Sequence, residues 1–191
     1  MTTPSEVLTF WFGSATLDAP VEPQERWFKK DPAFDQLIRE RFAAMVEVAE
    51  RGGLDAWLAN PEGCLALLIL LDQFPRNMFR DTAKMYSCDE KARTVAVHAV
   101  ARGFDRRPAP VARWFMYLPF VHSEALIDQE RALALFDTIP DGEVHTEARR
   151  SLRRHHEIIV RFGRFPHRNH ILGRASTPQE SEFLKEPNSS F

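Results

Sequence analysis

The sequence predicts an all-α single domain of about eight to ten helices, and three observations carry that expectation. Helix-start signals recur. Thr3-Pro4-Ser5-Glu6, Ser87-Cys88-Asp89-Glu90 and Thr177-Pro178-Gln179-Glu180 each place a capping side chain three residues ahead of a glutamate, so that the two can close free backbone N–H groups reciprocally. Between such signals, apolar residues return at three- and four-residue steps. No stretch alternates apolar and polar between Asn-Gly or Asp-Gly turns, as a half-buried strand would.

The elements follow in order. Pro4 opens a helix carrying Val7, Leu8, Phe10 and Trp11, and Gly13 ends it. A turn lies around Gln24 to Phe28. Asp31-Pro32 opens the clearest amphipathic helix, with the stripe Phe34, Leu37, Ile38, Phe42, Met45, Val46 and Ala49, stopped by Gly52-Gly53. A further turn spans Leu54 to Leu58. Asn60-Pro61 caps the next helix, whose interior Cys64 to Leu71 is apolar on every side and reads as central and wholly buried; Pro75 should end or kink it. Ser87 caps a helix with Ala92, Val95, Ala96, Ala99 and Val100, closed by Gly103. After a loop from Asp105 to Pro110, a helix from Val111 to Leu118 is expected to be cut by Pro119. Ser123 should cap another reaching Phe136. A turn at Pro140-Asp141-Gly142 precedes a long helix, about Glu143 to Phe162, closed by Gly163. Thr177 starts a last short helix, and the tail from Pro187 should be loose unless Phe191 docks.

The 191 residues suit one domain over the whole chain. A domain of this size buries about 70% of its unfolded surface and needs no disulfide or metal staple. The longest apolar run, Cys64 to Leu71, is eight residues, against the roughly 20 of a membrane-spanning helix. With no basic or apolar leader before Phe10, a cytosolic location follows, and Cys64 and Cys88 read as small buried hydrophobes. Charge is uneven. Residues 149–174 hold eight arginines and one acid, Glu157, which makes that segment +7 and leaves −9 on the rest of a chain whose net charge is −2.

One polar cluster does not follow from local rules. Asp72 closes the most apolar helix, where the helix dipole disfavours an anion by about 0.3–1 kcal/mol. Compensation must come from elsewhere. Arg76 and Arg80 follow, and a second Phe-Pro turn echoes the first: Phe74-Pro75-Arg76-Asn77 against Phe165-Pro166-His167-Arg168-Asn169, with Arg161, Arg164 and Arg174 around it. Guanidinium pairing to a carboxylate is planar and bidentate. His122, read as a helix-start imidazole beside Glu124, could exchange a proton near neutral pH. Bland readings stand beside these: Asp72 as a buried ion pair with Arg76 or Arg164, Asn77 and Asn169 as turn residues bonding their own backbone, His122 as a satisfied helix-terminus histidine, and the four tryptophans as core. There is no GxSxG, P-loop, GxGxxG or HExxH, and no histidine at di-iron spacing, so no metal or cofactor is expected.

The strings Val7-Leu8-Thr9-Phe10-Trp11-Phe12-Gly13, Leu70-Leu71-Asp72-Gln73-Phe74-Pro75-Arg76-Asn77-Met78-Phe79-Arg80, Leu118-Pro119-Phe120-Val121-His122-Ser123-Glu124 and Arg161-Phe162-Gly163-Arg164-Phe165-Pro166-His167-Arg168-Asn169 with Leu172-Gly173-Arg174 resemble the bacterial family called domain of unknown function 924, from about Val7 to Leu184. The resemblance implies an all-α superhelix of the tetratricopeptide-repeat-like class. It brings no activity and no catalytic assignment.

Three functions compete. In the first, Asp72, Arg76, Asn77, Arg80, Arg161, Arg164, His167, Arg168, Asn169 and Arg174 line a cleft for a small carboxylate or phosphate, with His122 and Glu124 moving a proton. In the second, stacked helix pairs form an extended groove for a peptide or protein, without a deep polar pocket. The third, nucleic-acid binding through residues 149–174, is opposed by the net charge and the absence of a recognised module. The oligomeric state is left open.

Overall fold

The computed structural model describes residues 2–140 and 143–190, with backbone only at 143–145. The turn at Asp141-Gly142 and the docking of Phe191 lie outside the described residues. Within them the chain is all-helical, with nine α-helical segments: α1 (Pro4–Phe12), α2 (Pro32–Glu50), α3 (Pro61–Leu68), α4 (Phe74–Met78), α5 (Asp89–Ala101), α6 (Pro110–Val121), α7 (Leu126–Phe136), α8 (Glu143–Phe162) and α9 (Pro178–Phe183).

The caps form where side chains can reach backbone. Thr3 and Glu6 close the box at α1, Asp31 accepts from Ala33 and Phe34 at α2, Asn60 accepts from Gly63 at α3, and Thr177 and Glu180 close the box at α9. Gly13 ends α1 in the left-handed region at φ 81°, where a side chain is strained. The Ser87 box does not form: Cys88 is the N-cap, without a side-chain bond, and Asp89 faces arginines instead. On α2, Phe34, Ile38, Phe42, Val46 and Ala49 are buried, but Leu37 is 42% exposed at the edge of the stripe.

The centre of the molecule is one rod. Cys64 to Leu71 are each 1% exposed or less, as an all-apolar helix should be. The rod does not end at Pro75. A π turn over Ile69–Gln73 joins α3 to α4, and the Phe74 N–H reaches back five residues to the Ile69 carbonyl. Pro75 has no N–H, and its ring would collide with the Leu71 carbonyl in a regular helix; the extra residue opens the ladder there and lets the rod run on to Met78. Asp72 therefore sits inside the rod, not at its end.

Against α3 pack α1, α5 and α6, and α2 lies along α4. The N-terminal segment is pinned to this core by the Trp27 indole, which donates to the Trp11 carbonyl at 3.2 Å and stacks on the Trp11 ring. Gly63 is the closest approach: a Cβ there would sit 2.0 Å from the Trp57 carbonyl oxygen. In an open helix Gly→Ala stabilises by up to about 1 kcal/mol. Here Gly63→Ala should destabilise by about 1–3 kcal/mol, because backbone must move. A denaturant midpoint equal to or above wild type would contradict this.

α6 also outlasts its proline, passing through Pro119 to Val121. His122 is its C-cap, its N–H bonded to the Leu118 carbonyl at 2.9 Å, so the imidazole follows a helix end and does not open a helix start. α7 begins at Leu126 with Ala125 as N-cap; Ser123 instead accepts from the Ala125 N–H and donates to Asp128. The fully buried Gln129 amide donates to the carbonyls of Val121 (2.6 Å) and Ser123 (2.7 Å), on either side of His122. These helix-end carbonyls would otherwise be orphaned.

α8 ends at Gly163, and a second small core of Ile158, Ile159, Phe165 and Phe183 binds it to α9. In the tail Ser189 is buried and the Asn188 carbonyl accepts from Arg154, while Pro187, Asn188 and Ser190 are exposed.

Candidate functional site

The two Phe-Pro segments, the first inside the rod and the second a turn, converge on one cleft of about 580 Å³ between α4, α6 and α8. The first supplies Arg76 and the second Arg168. Both guanidiniums lie over the Tyr86 ring, at 5.7 and 4.5 Å from its centre. Both face the Asp89 carboxylate. Arg76 grips it bidentately (2.7 and 2.9 Å) and also donates to the Asp72 carbonyl at 2.8 Å. The Arg168 guanidinium stands off Asp89 at 3.7 Å.

Behind this wall Asp72, 1% exposed, accepts from His122 Nδ1 at 2.7 Å and from the Gln73 amide at 2.6 Å, with Arg76 at 3.4 Å. Burial would raise the Asp72 carboxyl, but the neighbouring His122 and Arg76 and these hydrogen bonds hold it below its usual range. Burial and the Arg76 charge push the His122 imidazole down despite the carboxylate beside it, so the ring is neutral. An ionised carboxylate only accepts, so the network assigns the proton to Nδ1. Nε2 then carries the lone pair on a ring that lines the cleft, the arrangement of a general base oriented by an acid.

The cleft surface is basic although its frame is neutral. Arg76, Arg80 and Arg168 line it. The matching acids sit behind: Arg80 is held bidentately by Asp35 (2.6 and 3.0 Å), and Asn77 donates to the same carboxylate at 2.8 Å. Among the described lining residues the acid is Glu147. His155 and His167 also line the cleft; burial pushes them down to about 3 and about 4.

Arg168 differs from the other two arginines. Its side chain is 8% exposed and sandwiched between the rings of Tyr86 and Phe165, each about 4.5 Å away. It makes no side-chain hydrogen bond to any described residue, and its Nε is buried without an acceptor. Burial and the nearby Arg76 charge lower its pKa. A buried guanidinium without acceptors is costly.

Of the residues expected here, Arg76, Asn77, Arg80, His122, His167 and Arg168 line the cleft, and Asp72 backs it. The others do not. Glu124 turns away from His122 to accept from the Phe165 N–H at 2.8 Å and from Arg174 at 2.7 and 3.0 Å. Asn169 accepts from Arg174 and donates to Ser176, bonding side chains and not its own backbone; Asn77 likewise bonds Asp35. Arg164 is clamped by Glu180, and Arg161 lies near Glu186 at 3.6 Å. These residues hold the second Phe-Pro turn and α9 in place. The arginine-rich segment is matched in the same way. Arg149 meets Asp137, Arg150 meets Glu147, and Arg154 meets Glu157 and Glu186.

Residues the sequence did not single out include Gln73, Tyr86, Asp89, Trp114 and His155. Asp89 appeared there as part of a capping box and Trp114 as a core tryptophan. Among the described residues no group of three or more metal-binding side chains gathers, and none of the helices is long and apolar enough to cross a membrane.

No curated protein matches the chain. Its fold is similar to the solved structure of ATU0120 from Agrobacterium tumefaciens, described as a protein of unknown function: 42% identity over 96% of this chain and 97% of that one, with a TM-score of 0.84. A family profile described as a bacterial protein of unknown function, DUF924, matches residues 7–188, and the chain belongs to that family.

Proposed function

We propose that the cleft binds a small organic anion, a carboxylate or phosphate, through Arg168, and that His122 accepts a proton on the bound molecule or on a water beside it. Asp72 is the positioning residue. The observation that carries the reading is the buried, hydrogen-bond-starved guanidinium of Arg168 on the wall of a ligand-sized cleft. A carboxylate or phosphate supplies the missing acceptors in the planar geometry that arginine prefers. A peptide scaffold would call for an extended groove without such a recess. Two further readings belong here. The free, buried thiols of Cys64 and Cys88 support a cytosolic location. The packing of α7 against both α6 and α8 supports a tetratricopeptide-like stacking.

Thermal melts against carboxylates and phosphate esters test this. A ligand at 100 times its Kd should stabilise the wild type by about 2.7 kcal/mol. Arg168→Met keeps the stacking volume and removes the guanidinium that lacks hydrogen-bond acceptors. It should leave the unliganded protein as stable as wild type, or more stable, while abolishing the ligand shift. His122→Asn should keep the shift. Failure of every anion to stabilise the wild type, or an unchanged shift in Arg168→Met, would reject the reading.

A further inference from the structure

Resting on that reading of the cleft, we propose that its ligand is an amphipathic organic anion, one charged head on an apolar body, in preference to a small polar anion. The polarity of the cleft is built into two helices. α7 packs against both α6 and α8, and Arg149 near the start of α8 meets Asp137 just beyond the end of α7. The three helices therefore run up, down and up, and α6 and α8 point the same way. On α6 the lining residues Trp114, Leu118 and His122 recur every four positions, with Val121 beside them; on α8 Ala148, Leu152 and His155 recur at four and three, flanked by Glu147 and Ser151. Each row shares one helix face. Both rows pass from apolar side chains to an imidazole in the same direction, over about 12 Å on α6.

The imidazole end is where Arg76 and Arg168 stand. Among the described lining residues the remaining cation is Arg80, and Asp35 already holds it bidentately. Glu147, one residue before Ala148, lines the cleft at the opposite end and would repel a second anionic head. Phe28, which lines the cleft from the N-terminal segment, is 58% exposed although its neighbour Trp27 is buried. A bound apolar body would cover it.

Calorimetric titration of the wild type with acetate, butanoate, hexanoate, octanoate, inorganic phosphate and neutral octanamide tests the class. Each added methylene should tighten binding about threefold to fourfold until the body fills the cleft. Octanamide should bind at least tenfold more weakly than octanoate. Phe28→Ser, at an exposed position, should weaken octanoate and leave acetate unchanged. If acetate and phosphate bind but the series is flat, the amphipathic class is rejected and the anion site survives. Octanamide binding as tightly as octanoate rejects the charged head. No binding of any acid rejects the class together with the reading beneath it.

Discussion

Between pH 7.5 and pH 5 the protein is expected to lose about 4 kcal/mol of stability through two histidines alone. In the unfolded chain His155 and His167 take up protons below about pH 6.5. In the folded protein burial, with the Arg168 charge adding to it, holds them near 3 and near 4. The unfolded state therefore binds more protons throughout that interval, and stability falls as pH falls, by about 1.4 kcal/mol per pH unit for each group. Their stabilising effect is complete above pH 6.5 and disappears toward the folded values. His122 is shifted the same way and adds to the loss. Asp72, with its folded value lowered, adds a loss of the same sign only further into acid, below the ordinary carboxylate range. Against a total stability of about 5–15 kcal/mol, this predicts acid unfolding well above the pH at which carboxylates protonate. Denaturant melts at several pH values read the slope directly. His155→Gln should reduce that slope by about 1.4 kcal/mol per pH unit, whatever it costs at pH 7.5 through the lost contact with Phe165. Stability that is flat from pH 7.5 to pH 5, or an unchanged slope in His155→Gln, would contradict the burial of these imidazoles.

Two of the three capping boxes were legible because they are local; the Ser87 box failed because Asp89 is drawn to arginines distant in sequence. Thr3 with Glu6 and Thr177 with Glu180 need only a few residues of chain, and both boxes form. The prolines were not, because a local rule forbids what a tertiary core enforces. Pro75 and Pro119 lie in helices too deeply buried to stop, and the rod through Pro75 absorbs its ring with a π turn. The site was half legible for a different reason. Composition marks which residues are charged but not which meet. His122 and Glu124 are neighbours in sequence, yet their partners lie 50 residues away, at Asp72 and Arg174. What the sequence did carry was the oddity itself: an acid inside the most apolar helix must be compensated, and every compensating group proves to be part of the cleft wall or its backing.

Two arginines on the same tyrosine ring should respond in opposite ways to removal, and the larger effect belongs to Arg76. Its guanidinium satisfies both oxygens of Asp89 and the Asp72 carbonyl, and it lies 3.4 Å from the Asp72 carboxylate. Arg76→Met would leave two largely buried carboxylates short of a cation, and breaking a buried pair on one side costs about 3–5 kcal/mol. Asp89 would keep only the distant Arg168 contact at 3.7 Å among its ion pairs. Arg76→Lys restores charge but not the two parallel hydrogen bonds, so it should fall between methionine and wild type. Asp89→Asn in the Arg76→Met background should cost less than in wild type, a coupling of about 1 kcal/mol or more in a double-mutant cycle. Arg168→Met breaks no hydrogen bond and strands no acid. Its stability change should lie near zero or be favourable. The pair of measurements therefore separates frame from site: a side chain whose loss unfolds the wall is structural, and one whose loss leaves the wall standing is held there for a molecule that the chain itself does not supply. Equal losses for the two methionine variants, or a larger loss at Arg168, would remove that distinction and with it the support for the proposed anion site.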